Sequence, residues 1–475
     1  MTESKPNILF IVLDTCRFDV FDEALKDGKL SHLGELRNDS IYYTNAISPS
    51  SWTTPSHVSF FTGLYPSEHK VHETMYLKQS SMIMNQILNF PGKVLPEILR
   101  SNGYNTYGFV ANPNLAPGTG FERGFDFLTF VDMFEEMTEF WNDTRQKIKV
   151  KMPNIEKEIN SLANNFDLKE MLHLLMKNWN FIKLPSLLRI YREFLKRSKK
   201  IGYPVQKAGK RIANIIGNSV FEYPFFLFAN FMELHDPYTI GKGEFFSGEA
   251  KKMLSFLVGH TDISSSLLNE YMELYKHELF LLDQYVGKII DKLKKDGVYD
   301  NTVIVITADH GQNFGEDHYY GHGILLSDSL VKVPLIIKPI EKSDPSISYK
   351  FQPLTNLFKF LVRCSEGMVN PYLISDEIAY SESFGIQENY REMFKLNPVL
   401  ISKLESYDHR SIAVYLKGIK VIVSVGKNEF KIESIILHNK NNSLDESELE
   451  ELNEQIKKFL GFRYVNVDQQ GGDEN

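Results

Sequence analysis

Acidic and histidine residues follow three apolar runs of this sequence, shortly after each run ends. Asp14 follows the first run, His235 the second, and the pair Asp309 and His310 the third. Because the carboxyl ends of parallel strands meet at one edge of a sheet, we expect these side chains to lie close together. Two carboxylates and an imidazole can hold a divalent cation, and such a cation lowers the pKa of a nearby alcohol. The alternative is that each residue is an ordinary turn or helix-capping residue.

A threonine placed to use such a cation lies in residues 51–63. Thr54 is predicted to cap a short helix, with Pro55 at its first position and Gly63 at its end. Thr53 then lies just ahead of the helix N-terminus, where partial positive charge favours an alkoxide or an oxyanion. We therefore predict that Thr53 is both a metal ligand and the nucleophile. The alternative for this stretch alone is a capped helix in which Thr53 is a spare capping residue.

The apolar runs themselves predict the elements that position these side chains. They are short and rich in β-branched or aromatic residues, as are strands buried on both faces of a parallel sheet. Their alternation with helices predicts an α/β fold, in which helices flank a doubly wound, mostly parallel sheet. The predicted strands cover residues 7–13, 104–111, 225–231 and 302–307, and the predicted helices cover residues 94–102 and 267–295.

The 475-residue chain has an ordinary composition for a globular protein, with 43% hydrophobic and 24% charged residues. Residues 1–340 are predicted to form the catalytic domain, and residues 341–475 a C-terminal subdomain with a small antiparallel sheet and a terminal helix. Cys16 and Cys364 are too few for a disulfide framework or a Cys-based zinc site, and we expect free, buried thiols. Because we find no signal peptide and no apolar stretch long enough to span a membrane, we expect a cytoplasmic protein.

One segment differs in charge from the rest of the chain. Residues 131–220 are predicted to form a helical insertion or lid. Within it, residues 143–211 carry 17 Lys and Arg against 6 Asp and Glu, although the whole chain has a net charge of −8. Basic amphipathic helices bind anionic membranes, so an anionic lipid or membrane surface is a predicted partner. The alternative is a solvated lid whose basic side chains face water. No nucleic-acid partner is expected.

Several motifs in a fixed order give the chain a family resemblance. It resembles the sulfatase-like branch of the alkaline phosphatase superfamily over about residues 6–340. The segments that carry this resemblance are Asp14-Thr15-Cys16-Arg17, Trp52-Thr53-Thr54-Pro55-Ser56-His57, Thr62-Gly63-Leu64-Tyr65-Pro66, Gly120-Phe121-Glu122-Arg123-Gly124-Phe125-Asp126, His235-Asp236-Pro237-Tyr238, Ala308-Asp309-His310-Gly311 and Gly321-His322-Gly323.

This resemblance implies roles for the candidate residues. Thr53 matches the position of the nucleophile. His235 and His322 match positions that contact the transferred oxyanion or the leaving group. His57 stands where the family has Arg, and we expect it to orient Thr53. The implied substrate is an anionic ester. Asp14, Asp309 and His310 match metal-ligand positions, and Thr53 is expected to bind the same ion as its nucleophile.

Thr53 is also a departure from that family. Sulfatases have Cys or Ser at this position, which is matured to formylglycine, and Thr cannot be matured in this way. The hydrated aldehyde expels sulfate through its second hydroxyl, which a sulfated Thr lacks. Water can instead attack a phosphorylated Thr in line at phosphorus. The substitution therefore favours phosphate or phosphonate esters over sulfate esters.

Thr15 is the second departure, because calcium-binding members of the family have Asp there. A set of oxygen and imidazole ligands with fewer carboxylates favours Mn²⁺, Zn²⁺ or Mg²⁺, with Ca²⁺ as the alternative. One ion is the main prediction. The alternative is a second metal site built from Asp236, His235, His318 and His322.

Together these residues predict a metal-dependent ester hydrolase that acts through Thr53. One alternative is a transferase that moves a phospho-substituent onto a glycan or lipid. Another is a sulfuric ester hydrolase that works without formylglycine. The third is a non-catalytic binding protein on the same fold, against which the retained nucleophile and metal-ligand positions argue.

Overall fold

The computed structural model describes residues 5–72, 87, 90–131, 208–236, 256–259, 262–340, 347–348, 350–386, 402–426, 429–437 and 446–461. Most of the predicted insertion at 131–220, and nearly all of its basic stretch at 143–211, lies outside the described residues.

Strands and helices of the described residues take the following bounds. In chain order the strands are β1 (Asn7–Leu13), β2 (Ile41–Ile47), β3 (Asn105–Val110), β4 (Phe127–Phe130), β5 (Phe225–Phe231), β6 (Thr302–Thr307), β7 (Asn313–Phe314), β8 (Tyr320–Gly321), β9 (Lys332–Lys338), β10 (Ile347–Ser348), β11 (Gln352–Pro353), β12 (Ile378–Ser383), β13 (Arg410–Leu416), β14 (Ile419–Val425) and β15 (Phe430–Leu437). The helices are α1 (Phe18–Lys26), α2 (Ser31–Arg37), α3 (Thr53–Thr62), α4 (Pro66–His69), α5 (Leu95–Ser101), α6 (Gly209–Asn218), α7 (Ser265–Lys295), α8 (Asp328–Val331), α9 (Asn356–Ser365) and α10 (Glu446–Leu460).

A nine-stranded sheet forms the centre of the molecule, in the order β10-β2-β9-β6-β1-β5-β3-β4, with β11 also paired to β2. Strand β1 pairs in parallel with β5 and β6, and β5 pairs in parallel with β3. Only β9 runs antiparallel to its neighbours β2 and β6 among the described pairings of this sheet. The predicted α/β fold with a mostly parallel, helix-flanked sheet is confirmed.

The strands that carry the candidate site are apolar because helices cover both faces of the sheet. Every residue of β1, β5 and β6 is buried, and these three strands have the predicted bounds. Helix α7 places Tyr275, Leu279 and Leu282 in the same core. Both cysteines are buried and free, as expected.

A separate four-stranded sheet in the order β12-β13-β14-β15 is antiparallel throughout. Leu452 and Ile456 of α10 are fully buried against it. The small C-terminal antiparallel sheet is thus confirmed. Strands β10 and β11 pair with β2, so the large sheet takes its last strands from beyond residue 340.

Candidate active site

The predicted metal ligands lie together at the carboxyl edge of the large sheet. Asp14 directly follows β1, and Asp309 and His310 come just after the neighbouring strand β6. One ligand atom from each of these residues lies within 4.8 Å of the others, and all three side chains are buried. The strand order therefore produces the clustering that the sequence predicts.

One oxygen of the Asp309 carboxylate accepts two hydrogen bonds, and the other accepts none within the described residues. Its Oδ1 accepts hydrogen bonds from the backbone N–H groups of Thr15 at 3.1 Å and of His310 at 2.9 Å. Its Oδ2 is buried and has no hydrogen-bond partner within the described residues. A buried carboxylate oxygen without a partner is costly unless something cationic meets it.

Asp14 repeats this arrangement with side-chain amides. Its Oδ2 accepts from Asn112 Nδ2 at 2.8 Å and from Asn230 Nδ2 at 3.4 Å. Its Oδ1 is buried without a hydrogen-bond partner among the residues described. The two amides were not predicted as site residues. A signal existed, because Asn230 is the one polar residue inside the apolar strand β5.

His310 completes the set with a ring nitrogen. Its Nδ1–H donates to the carbonyl oxygen of Gly311 at 2.9 Å, which directs the lone pair of Nε2 into the site. Nε2 lies 4.0 Å from Asp14 Oδ1 and 3.6 Å from Asp309 Oδ2. Because the unpaired oxygens and this nitrogen converge, the residues fit a divalent cation.

Thr53 brings its hydroxyl to the same point. Its Oγ1 lies 3.1 Å from His310 Nε2. The prediction that Thr54 caps the helix is wrong, because α3 begins at Thr53 and follows an extended Trp52. The Thr54 hydroxyl is buried and has no hydrogen-bond partner in the described part of the chain. Pro55 is therefore the third residue of α3 and not the first, and it is tolerated there because the first N–H groups of a helix have no intrahelical partner.

His57 lies behind Thr53 on the same helix. Its Nδ1–H donates to the Thr53 carbonyl oxygen at 2.9 Å, and the same nitrogen lies 3.6 Å from Asp309 Oδ2. Phe60, Phe121 and Phe228 surround the ring. This burial lowers the pKa of His57 to about 3, so the imidazole is neutral. It therefore supplies no positive charge.

His235 and His322 face each other, with ring centroids 5.0 Å apart. Burial disfavours a charged His235, but the adjacent Asp236 carboxylate outweighs it and raises the pKa of His235 to about 9. Burial instead lowers the pKa of His322 far below its usual range. His322 Nδ1 is 2.6 Å from Gln312 Oε1, a contact that the sequence did not predict. This pair thus consists of one charged and one neutral imidazole.

Three of the four residues predicted for a second metal site lie together, and the fourth, His318, does not. His235, Asp236 and His322 offer ligand atoms within 4.8 Å of one another. His318 is exposed, and its ring packs beside Phe256 at 5.5 Å instead. A turn at Asp317 and His318, both with positive φ, places the His318 side chain at the surface. His318 is therefore removed from the candidate ligands.

Burial also shifts the acids of the first group. It raises the pKa of Asp309 to about 7. Burial, together with the charge of Asp309, raises the pKa of Asp14 to about 6. Two carboxylates this close repel each other when both are ionised. A divalent cation between them would remove that repulsion, which again fits a metal site.

Three comparisons relate this chain to known proteins. A family model described as Sulfatase matches residues 6–367. An N-acetylglucosamine-6-O-sulfatase of Bacteroides thetaiotaomicron is 21% identical over 379 residues, which cover 70% of this chain and 63% of that protein. A phosphonate monoester hydrolase of Agrobacterium radiobacter aligns with a TM-score of 0.60 at 16% identity, over 96% of this chain and 95% of that one. The corresponding enzyme of Silicibacter pomeroyi aligns with a TM-score of 0.57 at 14% identity, over 98% and 96% of the two chains.

The sequence identities to these proteins are low, between 14% and 21%. At such identities the solved structures share the fold alone. The chain spans less than two thirds of the length of the curated relatives that it matches. Among the residues that the structure describes, no helix combines the length and the apolarity that crossing a bilayer requires. The expected cytoplasmic location stays a prediction.

Proposed function

Because the chain belongs to the sulfatase family, we propose that it is a metal-dependent ester hydrolase whose nucleophile is Thr53. One observation carries the proposal. The Thr53 hydroxyl lies 3.1 Å from His310 Nε2, at the point where the unpaired oxygens of Asp14 and Asp309 meet. An alcohol among buried metal ligands is the arrangement that a metal-activated nucleophile requires.

Members of this family use a divalent metal ion, and here Asp14, Asp309, His310 and Thr53 would hold it. When bound, the cation would favour loss of the Thr53 hydroxyl proton and neutralise the two carboxylates. Two carboxylates with an imidazole favour Mn²⁺, Zn²⁺ or Mg²⁺ over Ca²⁺, which prefers more oxygen ligands.

In the first step Thr53 Oγ1, which has already lost its proton to solvent, attacks the phosphorus of the ester, and the bond from phosphorus to the leaving oxygen breaks. The charged His235 donates its proton to that leaving oxygen, since its pKa of about 9 keeps it protonated at neutral pH. His322 lies between His235 and His310, with ring centroids 5.0 and 4.5 Å away, beside the group being transferred. The product of this step is a phosphorylated Thr53.

In the second step water attacks the phosphorus, the bond from phosphorus to Thr53 Oγ1 breaks, and Thr53 leaves as the alkoxide with which the first step began. His235, now neutral, accepts a proton from that water, so one residue serves as acid and then as base. A second alcohol in place of water would make the protein a transferase to a glycan or lipid. The same residues serve both outcomes, and the acceptor decides between them.

Phosphate- and phosphonate-type esters, including phosphodiesters, are the favoured substrates because of the nucleophile. Thr53 lacks the second hydroxyl through which hydrated formylglycine expels sulfate. A phosphorylated Thr, by contrast, can be released by in-line attack at phosphorus. Sulfate esters are the second candidate, because the family and its curated relatives are described as sulfatases.

A substrate panel with two matched variants tests this proposal. Wild type, Thr53→Ala and Thr54→Ala are assayed on aryl phosphate, phosphodiester, phosphonate and sulfate esters, each with Mn²⁺, Zn²⁺, Mg²⁺ or Ca²⁺. We expect Thr53→Ala to lower kcat by at least about a thousandfold. Thr54→Ala removes a hydroxyl without a hydrogen-bond partner among the described residues and should retain full activity. Full turnover of every ester class by Thr53→Ala would overturn the proposal.

The predicted membrane partner is a separate part of the proposal. The basic residues 143–211 would hold the enzyme near an anionic lipid surface, where an ester or an acceptor alcohol is presented. Sedimentation with anionic vesicles, compared with neutral vesicles, tests this directly. Equal binding to both would remove lipid from the proposed partners.

A further inference from the structure

The loop that follows β1 holds a strained backbone conformation. Thr15 has φ 61, in the left-handed region. A β-branched residue rarely adopts this conformation, so its surroundings must enforce it. In this conformation the Thr15 N–H points at Asp309 Oδ1 and donates to it at 3.1 Å. The strained turn thus fixes one oxygen of a candidate metal ligand.

Tyr275, from the middle of α7, contacts both sides of that turn. Its hydroxyl donates to the Thr15 carbonyl oxygen at 2.9 Å and accepts from the Arg17 backbone N–H at 2.7 Å. The side chain is fully buried, and its ring lies 5.3 Å from that of Phe314. Burial raises the pKa of Tyr275 well above its usual range, so the hydroxyl keeps its proton.

We infer that Tyr275 is a positioning residue for the metal centre, and this inference rests on the proposed function. By holding Thr15 in its left-handed turn, Tyr275 keeps the Thr15 N–H on Asp309 Oδ1. The Asp309 carboxylate then turns its other oxygen, Oδ2, toward His310 Nε2, 3.6 Å away, where the two atoms would hold a cation. Tyr275, 260 positions beyond Thr15 in the sequence, therefore orients the Asp309 carboxylate through the backbone of the β1–α1 loop.

The tyrosine hydroxyl suits this task because it donates and accepts at one atom. A phenylalanine would leave the Thr15 carbonyl and the Arg17 N–H buried and without this partner, since both residues are at most 4% exposed. The turn could then relax toward an unstrained conformation. That relaxation would withdraw the Thr15 N–H from Asp309.

The experiment compares Tyr275→Phe with Tyr43→Phe on the full chain. Tyr43 is a matched control, because it is equally buried and its hydroxyl donates to the Pro371 carbonyl at 2.9 Å, away from the metal ligands. Mn²⁺ affinity is measured by calorimetry, and stability by thermal unfolding in EDTA. We expect both variants to lose stability and only Tyr275→Phe to lose Mn²⁺ affinity, by about tenfold. Equal Mn²⁺ affinity in the two variants would overturn the inference.

A second variant, Thr15→Gly, tests whether Tyr275→Phe acts by releasing the strained turn at Thr15 or by a general loss of packing. Glycine adopts a left-handed turn without cost, so Thr15→Gly should reduce the effect of Tyr275→Phe on Mn²⁺ affinity to less than about threefold. An undiminished tenfold effect would contradict the strain-holding role. If Tyr275→Phe does not fold, rescue of folding by Thr15→Gly supports the inference, and a double variant that stays unfolded contradicts it. A wild-type chain that binds no divalent ion overturns the metal-dependent function together with this inference.

Discussion

Four histidines of the candidate site, three of them buried and His235 half-buried, have different charges because their neighbours differ. Burial lowers the pKa of His310 to about 4 and of His57 to about 3, and it lowers the pKa of His322 well below its usual range. His235 alone among them keeps a raised pKa, because Asp236 lies beside its Nδ1 at 3.0 Å. Of these four histidines, only His235 is therefore positively charged at neutral pH.

This difference predicts how His235→Gln will behave toward different leaving groups. A proton donor matters most when the departing alcohol is a poor leaving group. We expect the variant to lose about 10²–10⁴-fold in kcat/KM on alkyl esters. On p-nitrophenyl esters, whose leaving group needs no proton, the loss should be within about tenfold. Steady-state kinetics on a series of esters of graded leaving-group pKa measures this.

The matched control is His69→Gln, at a buried histidine that contacts Ser59 at 3.1 Å outside the candidate site. Its effect on activity should not depend on the leaving group. A loss for His235→Gln that is the same across the whole series would assign His235 to binding and not to proton transfer.

The sequence predicts which residues meet at the site but not their protonation. Asp14, Asp309 and His310 could be identified because strand ends meet at one edge regardless of detail. The neutral His57 and charged His235 could not be distinguished, since the difference depends on burial and on one carboxylate 3.0 Å away. Asn112 and Gln312 were missed for a related reason, because an amide is common in loops and only its contacts identify it.

At the scale of elements, helix α3 presents Thr53, the proposed nucleophile, from a buried position. All ten of its residues are buried, so its ends must be fixed by packing and by backbone geometry. It ends at Gly63, which has φ 73. A Cβ added to Gly63 would lie 2.9 Å from the Phe358 ring of α9. Helices α3 and α9 thus approach closely where only glycine fits.

This close approach predicts that Gly63→Ala lowers the free energy of unfolding by more than the left-handed backbone conformation alone would. Gly103, with φ 85 and nothing within 4 Å of an added Cβ, provides the control. Gly103→Ala should cost only the backbone term of about 1–2 kcal/mol. Gly63→Ala should cost about 1–3 kcal/mol more through overlap with Phe358. Urea unfolding of both variants measures the difference, and equal free energies of unfolding would contradict the packing argument.

Strands buried on both faces were predictable from the sequence. A partly buried strand and the first residue of a helix were harder to predict. Strands β1, β5 and β6 have their predicted bounds, because a short, continuous apolar run fits a strand that is buried on both faces of a sheet. Strand β2 was missed, since its Thr44 and Asn45 are only partly buried and interrupt the apolar pattern. The start of α3 was misplaced because local capping preferences favoured Thr54, whereas tertiary contacts begin the helix at Thr53.

At the scale of the whole molecule, the two sheets meet beside the candidate site. Glu382 at the end of β12 donates its backbone N–H to Pro49 O and accepts from Ser50 Oγ, both at 2.9 Å. Ser383 donates to the carbonyl oxygen of Ile324 at 2.7 Å. The C-terminal sheet is thereby attached to the segments that precede Thr53 and follow His322. Both attachments link residues more than 50 positions apart, which local sequence patterns do not reveal.

The two buried carboxylates link the stability of the whole chain to pH. Asp14 and Asp309 have pKa values of about 6 and about 7 in the fold, against 3.8 when exposed. Between pH 4 and 7 the metal-free folded state therefore binds more protons than the unfolded state, and its stability falls as pH rises. A carboxyl whose pKa rises from 3.8 to about 6 accounts for on the order of 3 kcal/mol. A divalent cation acts in the opposite sense, because it binds only the ionised carboxylates.

Asp14→Asn should therefore change the thermal stability of the metal-free and of the metal-bound protein in opposite directions relative to wild type. In EDTA at pH 8 we expect the variant to melt at a higher temperature than wild type, because a neutral amide removes the repulsion, and the gap should shrink at pH 5. With Mn²⁺ the wild type should gain stability at pH 8 and little at pH 5, whereas the variant gains little at either pH. Thermal unfolding under these conditions measures both effects. A wild-type gain from Mn²⁺ that is equal at pH 5 and pH 8 would show that these carboxylates do not hold the ion.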